Sequence, residues 1–199
     1  MYVVFDLETT GLLQSNPYIV SIALKVFSTD TDALVYTYYQ VVEPPNEQYE
    51  FPVESVRVHG ITTDYARIHG ISIHEVIRSL HIVFDTYDIE TAIAHNIKFD
   101  ISVLGLQLDR FDEGDHDGVL LKDKIRDIQT FCTMMAGINL TNLMRTSRYG
   151  RSFKKQPKLI ELYDHLFPGE TFNAHNANDD VDACARCYIE MKKKGLLDV

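Results

Sequence analysis

Asp6 and Glu8 stand two residues apart at the end of an apolar run, in YVVFDLETTG (2–11). In a strand, residues i and i+2 project to the same side. The two carboxylates therefore point together while Leu7 faces away. Adjacent carboxylates in a partly buried place repel, and without a counter-charge one of them takes up a proton. A divalent cation keeps both ionised, and an all-oxygen ligand set selects hard ions, Mg²⁺ or Mn²⁺, over zinc. Taken alone, the pair fits a strand-end turn or helix cap as well as it fits a metal site.

Two further acids lie in similar settings. Asp100 closes IAHNIKFD (93–100), just past an apolar run and where a helix begins. A lone Asp there also suits the helix dipole. Asp180 lies in HNANDDVDACARCYIEM (175–191), where Asp180, Cys184, Cys187 and Met191 follow i, i+4, i+7 and i+11. That is one stripe of a helix, otherwise apolar and core-facing. Its neighbours Asp179 and Asp182 are expected to face solvent.

The elements that must position these acids follow from pattern. Residues 2–7, 18–28 and 33–43 read as strands, the last two joined by the polar turn 29–32. Pro44 and Pro45 break regular structure in a loop over 43–52. Residues 72–87 carry Ile73, Val76, Ile77, Leu80, Val83 and Phe84 at helical spacing, and Ser72 with Glu75 forms a capping-box signature. A short strand over 91–95 leads to a helix over 99–108 and an acidic loop over 109–118. Residues 127–137 read as a strand giving way to a helix that Gly137 ends. A helix over 158–167 stops at Pro168-Gly169, and the last helix runs from 176–178 to Lys194, with Gly195 as its cap. A strand meander followed by alternating strands and helices predicts an α/β fold with a mixed sheet and helices on its faces.

The chain has 199 residues, 45% of them hydrophobic, enough for one domain with a real core. No run of about 18 apolar residues predicts a membrane span. The start MYVVFDLE has no basic n-region, so it does not read as a signal peptide, and an intracellular, cytoplasmic setting is expected. Cys132, Cys184 and Cys187 read as reduced thiols, the last two as core residues one helical turn apart. A net charge of −10 argues against a binder of phosphate backbones, but its distribution is uneven. RTSRYGRSFKKQPK (145–158) holds six cations and no acid. It reads as a solvated loop or as a track for nucleic acid. Lys192, Lys193 and Lys194 suit a helix C-terminus.

DLETTG, AHNIKFD and HNANDD together resemble the three motifs of the DEDDh-type 3′–5′ exonucleases, the DnaQ-like and RNase T-like group. The residues that carry the resemblance are Asp6 and Glu8; then His95, Asn96, Phe99 and Asp100; then His175, Ala177 and Asp180. VHGIT (58–62) and PKLIELYDHLF (157–167) also match segments of that family. Order and spacing agree over residues 2–190 or so. A sibling group has Tyr four residues before the last Asp; here Asn176 stands there, which indicates the histidine type.

The resemblance implies an RNase H-like domain over residues 1–199, with a mixed five-stranded sheet and helices on both faces. It implies two divalent cations, Mg²⁺ or Mn²⁺, held by Asp6, Glu8, Asp100 and Asp180. His175 is implied as the general base for water attack on a phosphodiester at a single-stranded 3′ end, with release of nucleoside 5′-monophosphates. Activity is then expected to rise through the range where histidine titrates. Leu7, Thr9, Thr10 and Gly11, with His59, Asn96 and Phe99, are candidate contacts of the terminal nucleotide; Phe99 suits the core equally. Arg148, Arg151 and Lys154 are candidate contacts of the strand. DNA and RNA both remain open as substrates, as does a polymerase or another replication, repair or RNA-processing factor as partner. A binding module that keeps the fold without activity is the alternative, against which all four acids are present. An internally cutting, integrase-like enzyme is disfavoured by His175.

Overall fold

The computed structural model describes residues 1–110 and 116–197. Strand β1 (Tyr2–Thr9) is central, because its aromatic and β-branched residues are buried on both sides of the pleat. It pairs antiparallel with β2 (Ile19–Phe27), which in turn pairs antiparallel with β3 (Leu34–Val41). On its other side β1 runs parallel to β4 (Thr91–Ala94), and β4 runs parallel to β5 (Gln129–Cys132). The sheet order is β3-β2-β1-β4-β5, the mixed five-stranded sheet expected.

Period-two alternation divides β1 between two cores. Val3, Phe5 and Leu7 face a layer made by α3 (Ile73–Thr86), α4 (Ile97–Leu108) and α5 (His116–Asp127). Tyr2 and Val4 face α8 (Ala177–Lys193), through Ala177, Val181, Cys184 and Ala185. Behind α8 lie α6 (Thr133–Thr141) and α7 (Leu159–Leu166), packed through Ala136, Leu162, Leu166, Cys187 and Met191. Asp6 and Glu8 continue the Tyr2–Val4 face and therefore meet α8.

The capping box of α3 forms as read: Ser72 accepts the Glu75 N–H, and Glu75 accepts the Ser72 N–H. Helix α8 ends at Gly195, whose φ of +65° lets the Leu196 N–H return to the Met191 carbonyl. The loop over 43–52 forms as read, and two unforeseen seven-residue helices follow it, α1 (Val53–His59) and α2 (Thr63–His69). Three expectations change. The acidic stretch 109–118 is not all loop, since α5 already begins at His116; residues 111–115 lie outside the described residues. Gly137 does not end α6; it lies inside it, and a Cβ there would come 2.9 Å from Pro157 and 3.1 Å from Leu162. The helix instead ends at Asn142, at φ +49°. Finally, the basic segment forms a hairpin, β6 (Met144–Thr146) with β7 (Ser152–Lys154).

Candidate active site

β1 and β4 pair only across Tyr2–Val4 and Thr91–Ile93. Beyond that point β4 turns into α4, so the end of β1 lies open on the parallel side. Asp6 and Glu8 project there from β1, Asp180 comes from the first turn of α8, and Asp100 from the first turn of α4. Oxygens of Asp6, Glu8 and Asp180 all lie within 4.8 Å of one another. Asp100 is buried, with its carboxylate held by the N–H groups of Asp100 and Leu7.

The electrostatics are those of a cluster of partly buried carboxylates. Burial, then Asp100, Glu8 and Asp180, raises Asp6 well above the usual carboxylate range. Burial, then Asp180, pushes Glu8 up to about 7. Burial brings Asp180 to about 6, although the His175 N–H and ring draw it down. Burial also raises Asp100. Carboxylates in this state bind a hard divalent cation by giving up protons. The donor set is all oxygen, and the separations let three side chains share one ion.

The chain matches the family model for the RNase T exonucleases over residues 3–188. The chain belongs to that exonuclease family. Its fold agrees: E. coli exonuclease I in complex with a dA16 oligonucleotide superposes with a TM-score of 0.72 at 17% identity, covering 99% of this chain and 42% of that one. A zinc-bound form of the E. coli exonuclease I–ssDNA complex gives 0.71 at 17%, with the same coverages. A full-length 3′-exonuclease gives 0.69 at 16%, covering 98% of this chain and 61% of that one. This chain thus spans less than half the length of the exonuclease I structures it matches. No curated protein sequence matches it.

The exonuclease motifs are held by specific local structure. His175 sits at φ +69°, and its N–H donates to Asp180 Oδ2 at 2.9 Å, while its side chain is exposed. Asn176 caps α8 by accepting the Asn178 and Asp179 N–H groups. Asn96 also takes a left-handed turn, φ +79°, at the start of α4, and is exposed. His95 is clamped, with Thr133 Oγ1 3.0 Å from Nδ1 and the Pro157 carbonyl 3.0 Å from Nε2. Burial holds its pKa at about 4, so the ring is neutral and donates to Pro157 through Nε2–H. Phe99 is half-buried against the α3–α4 core.

Several other expected contacts also have partners within the chain. β1 runs on through Thr9, with a bulge at Glu8/Thr9, because pairing with β2 continues to Ile19. Leu7 is buried in the opposite core. The Thr10 N–H donates to the Tyr18 carbonyl, and its hydroxyl accepts the Tyr18 N–H. Of that turn, Thr9 donates to the Gly11 carbonyl, and Gly11 leaves room for Ser15 Oγ, which a Cβ would meet at 2.6 Å. His59 is buried at the end of α1, where Nδ1 accepts the Ile61 N–H; among the described residues no hydrogen bond joins it to the acids. Arg148, Arg151 and Lys154 lie on the hairpin, exposed, and Lys154 donates to Asn139.

Two residues went unread in the sequence. Lys25 is buried on β2 and reaches Asp182 of α8, at 2.5 Å, fixing the helix that carries Asp180. Asp182 is exposed as expected, yet it holds this cation. Ser21 stands opposite Glu8, fully buried, with no hydrogen-bond partner among the described residues. Both interrupt an otherwise apolar strand, IVSIALKVF, and that was the available signal.

Proposed function

We propose that this domain removes nucleotides from the 3′ end of single-stranded nucleic acid by metal-dependent hydrolysis. The observation that carries the reading is the convergence of Asp6, Glu8 and Asp180 within 4.8 Å, with Asp100 buried beside them. Family membership and the oligonucleotide-bound exonuclease I neighbours support it.

Asp6, Glu8, Asp100 and Asp180 would hold two divalent cations, Mg²⁺ or Mn²⁺. When bound, these supply Lewis-acid polarisation and charge neutralisation for in-line displacement at phosphorus. Asp100 is held by the N–H groups of Asp100 and Leu7, beside Asp6. His175 is the general base. Its ring is exposed at the mouth of the cluster, and its own N–H bond to Asp180 fixes the backbone from which the ring reaches. Asn96, Phe99 and the Thr9–Gly11 turn border the place of the terminal nucleotide. Arg148, Arg151 and Lys154 draw in the rest of the strand.

The test is digestion of matched 5′-labelled DNA and RNA oligomers, single- and double-stranded, with Mg²⁺, Mn²⁺ or EDTA. Stepwise shortening from the 3′ end, abolished by EDTA and by Asp100→Asn, is expected. Internal cuts, or retention of an intact strand by the wild-type protein with either metal, would overturn the reading.

A further inference from the structure

We propose that the β6–β7 hairpin is a strand-holding arm, with Tyr149 and Phe153 as stacking residues for bases upstream of the 3′ terminus. The proposal rests on the reading of the acid cluster as the cleavage site.

Register decides what the hairpin shows to solvent. Arg145 stands directly opposite Phe153, and Met144 opposite Lys154. Period-two alternation puts Arg145 and Phe153 on one face and Lys154, with Thr146 and Ser152, on the other. Lys154 bonds to Asn139 of α6, so the second face is turned toward the domain. Arg145 and Phe153 share the opposite face, and both are exposed. At the tip, the Arg148 guanidinium lies 4.8 Å from the centre of the Tyr149 ring. The hairpin therefore carries two exposed aromatics with an arginine beside each, Phe153 opposite Arg145 in register and Tyr149 against Arg148.

Neither aromatic belongs to a hydrophobic core. Tyr149 is 78% and Phe153 47% exposed, and neither strand of the hairpin has a buried residue. A two-stranded hairpin of this size is marginal by itself. This one is fastened at its base: Lys155 pairs with Glu161, the Lys155 N–H returns to the Leu143 carbonyl, and Pro157 accepts from His95. His95 is next to Asn96 and little more than one helical turn before Asp100. The arm is thus rooted on the residue that leads into α4, the helix carrying Asp100, while its tip is exposed.

The occupant is fixed by charge and shape. A chain of net charge −10 concentrates six cations and no acid in residues 145–158, which selects a polyanion. Guanidinium groups alternating with open aromatic faces match single-stranded nucleic acid, whose bases stack on any ring and whose phosphates pair with arginine without regard to sequence. A paired duplex hides its base faces and gains nothing from Tyr149 and Phe153.

The test compares a long single-stranded oligonucleotide with a trinucleotide too short to reach the arm. In the wild type, kcat/KM is expected to favour the long strand. In the Tyr149→Ala/Phe153→Ala variant that preference falls about tenfold or more, and Tyr149→Trp/Phe153→Trp restores it. An unchanged preference overturns the arm. Fluorescence anisotropy of the labelled long strand in EDTA separates this from failure of the nuclease reading. There the alanine variant loses about tenfold or more in affinity even if neither protein cuts, and equal binding by both, or none by the wild type, refutes the proposal.

Discussion

The backbone N–H of His175 donates to Oδ2 of Asp180, five residues ahead of it in the chain, at 2.9 Å. One hydrogen bond therefore joins the loop that carries the proposed base to the carboxylate of the proposed metal site. It forms because His175 takes φ +69°, which turns the chain back just before Asn176 caps α8. Base, cap and ligand are one unit.

Because that bond uses main-chain atoms, the ring can be removed without loosening it. His175→Ala and His175→Gly are expected to lower kcat by about a hundredfold or more. Their melting temperatures should separate. Glycine relieves the left-handed strain, about 1 kcal/mol, and alanine does not. Steady-state kinetics and thermal melts on both variants check this. Near-wild-type turnover in either would dismiss His175 as the base.

The raised carboxylates set a pH dependence for the metal-free protein. Glu8 and Asp180 have folded-state values of about 7 and about 6, above their unfolded values. Their contribution to stability is complete below about pH 4 and is lost as pH rises through 6 and 7. His95 has the opposite sign: its value is lowered to about 4, so its contribution is present above about pH 6.5 and lost as pH falls. Between about pH 6.5 and 8 only the carboxylate effect remains. In EDTA the melting temperature should drop by several degrees over that interval, and excess Mn²⁺ should cancel the drop. A melting temperature that is flat in EDTA contradicts the negative cluster.

Asp100 separates charge from hydrogen bonding. Asp100→Asn keeps a carbonyl for the Leu7 N–H while removing one buried charge. It should abolish cleavage yet raise the melting temperature in EDTA. Asp100→Ala also abolishes cleavage but leaves the buried N–H unpaired, at a cost of about 1–3 kcal/mol. Paired melts of the two variants in EDTA distinguish them by sign.

Neutralising Arg148, Arg151 and Lys154 together should weaken binding of single strands at low salt. It should also reduce the slope of log affinity against log salt by about 2, from three lost phosphate contacts. Binding isotherms over a salt series check this. An unchanged slope returns the three cations to a solvated role.

The residues that could be read in the sequence were those governed by strict periodicity. Alternation in β1 aimed Asp6 and Glu8 together, and the stripe Asp180–Cys184–Cys187–Met191 marked α8 as a core helix, with Cys184 on the sheet and Cys187 and Met191 against α6 and α7. Helices α1 and α2 escaped because seven residues make barely two turns, too few for an apolar period to repeat. Helix α5 escaped because its buried residues are only Gly118, Leu121 and Ile125, in a charged sequence. Gly137 misled because glycine marks both helix ends and close packing, and only Pro157, brought alongside by the chain's return from the hairpin, shows which applies. Thr10 is paired with Tyr18, which leads into β2, and that pairing appears only once β2 is laid against β1. For Gly137 and Thr10 the deciding neighbour lies outside the local pattern.

The acids also come from distant parts of the chain, and this bears on biosynthesis. Asp6 and Glu8 lie on the first strand, Asp180 on the last helix, and α8 rests directly on β1. A chain emerging from the ribosome carries the first two carboxylates long before the third exists. Until α8 is released and docks, it cannot assemble the cluster and cannot cut.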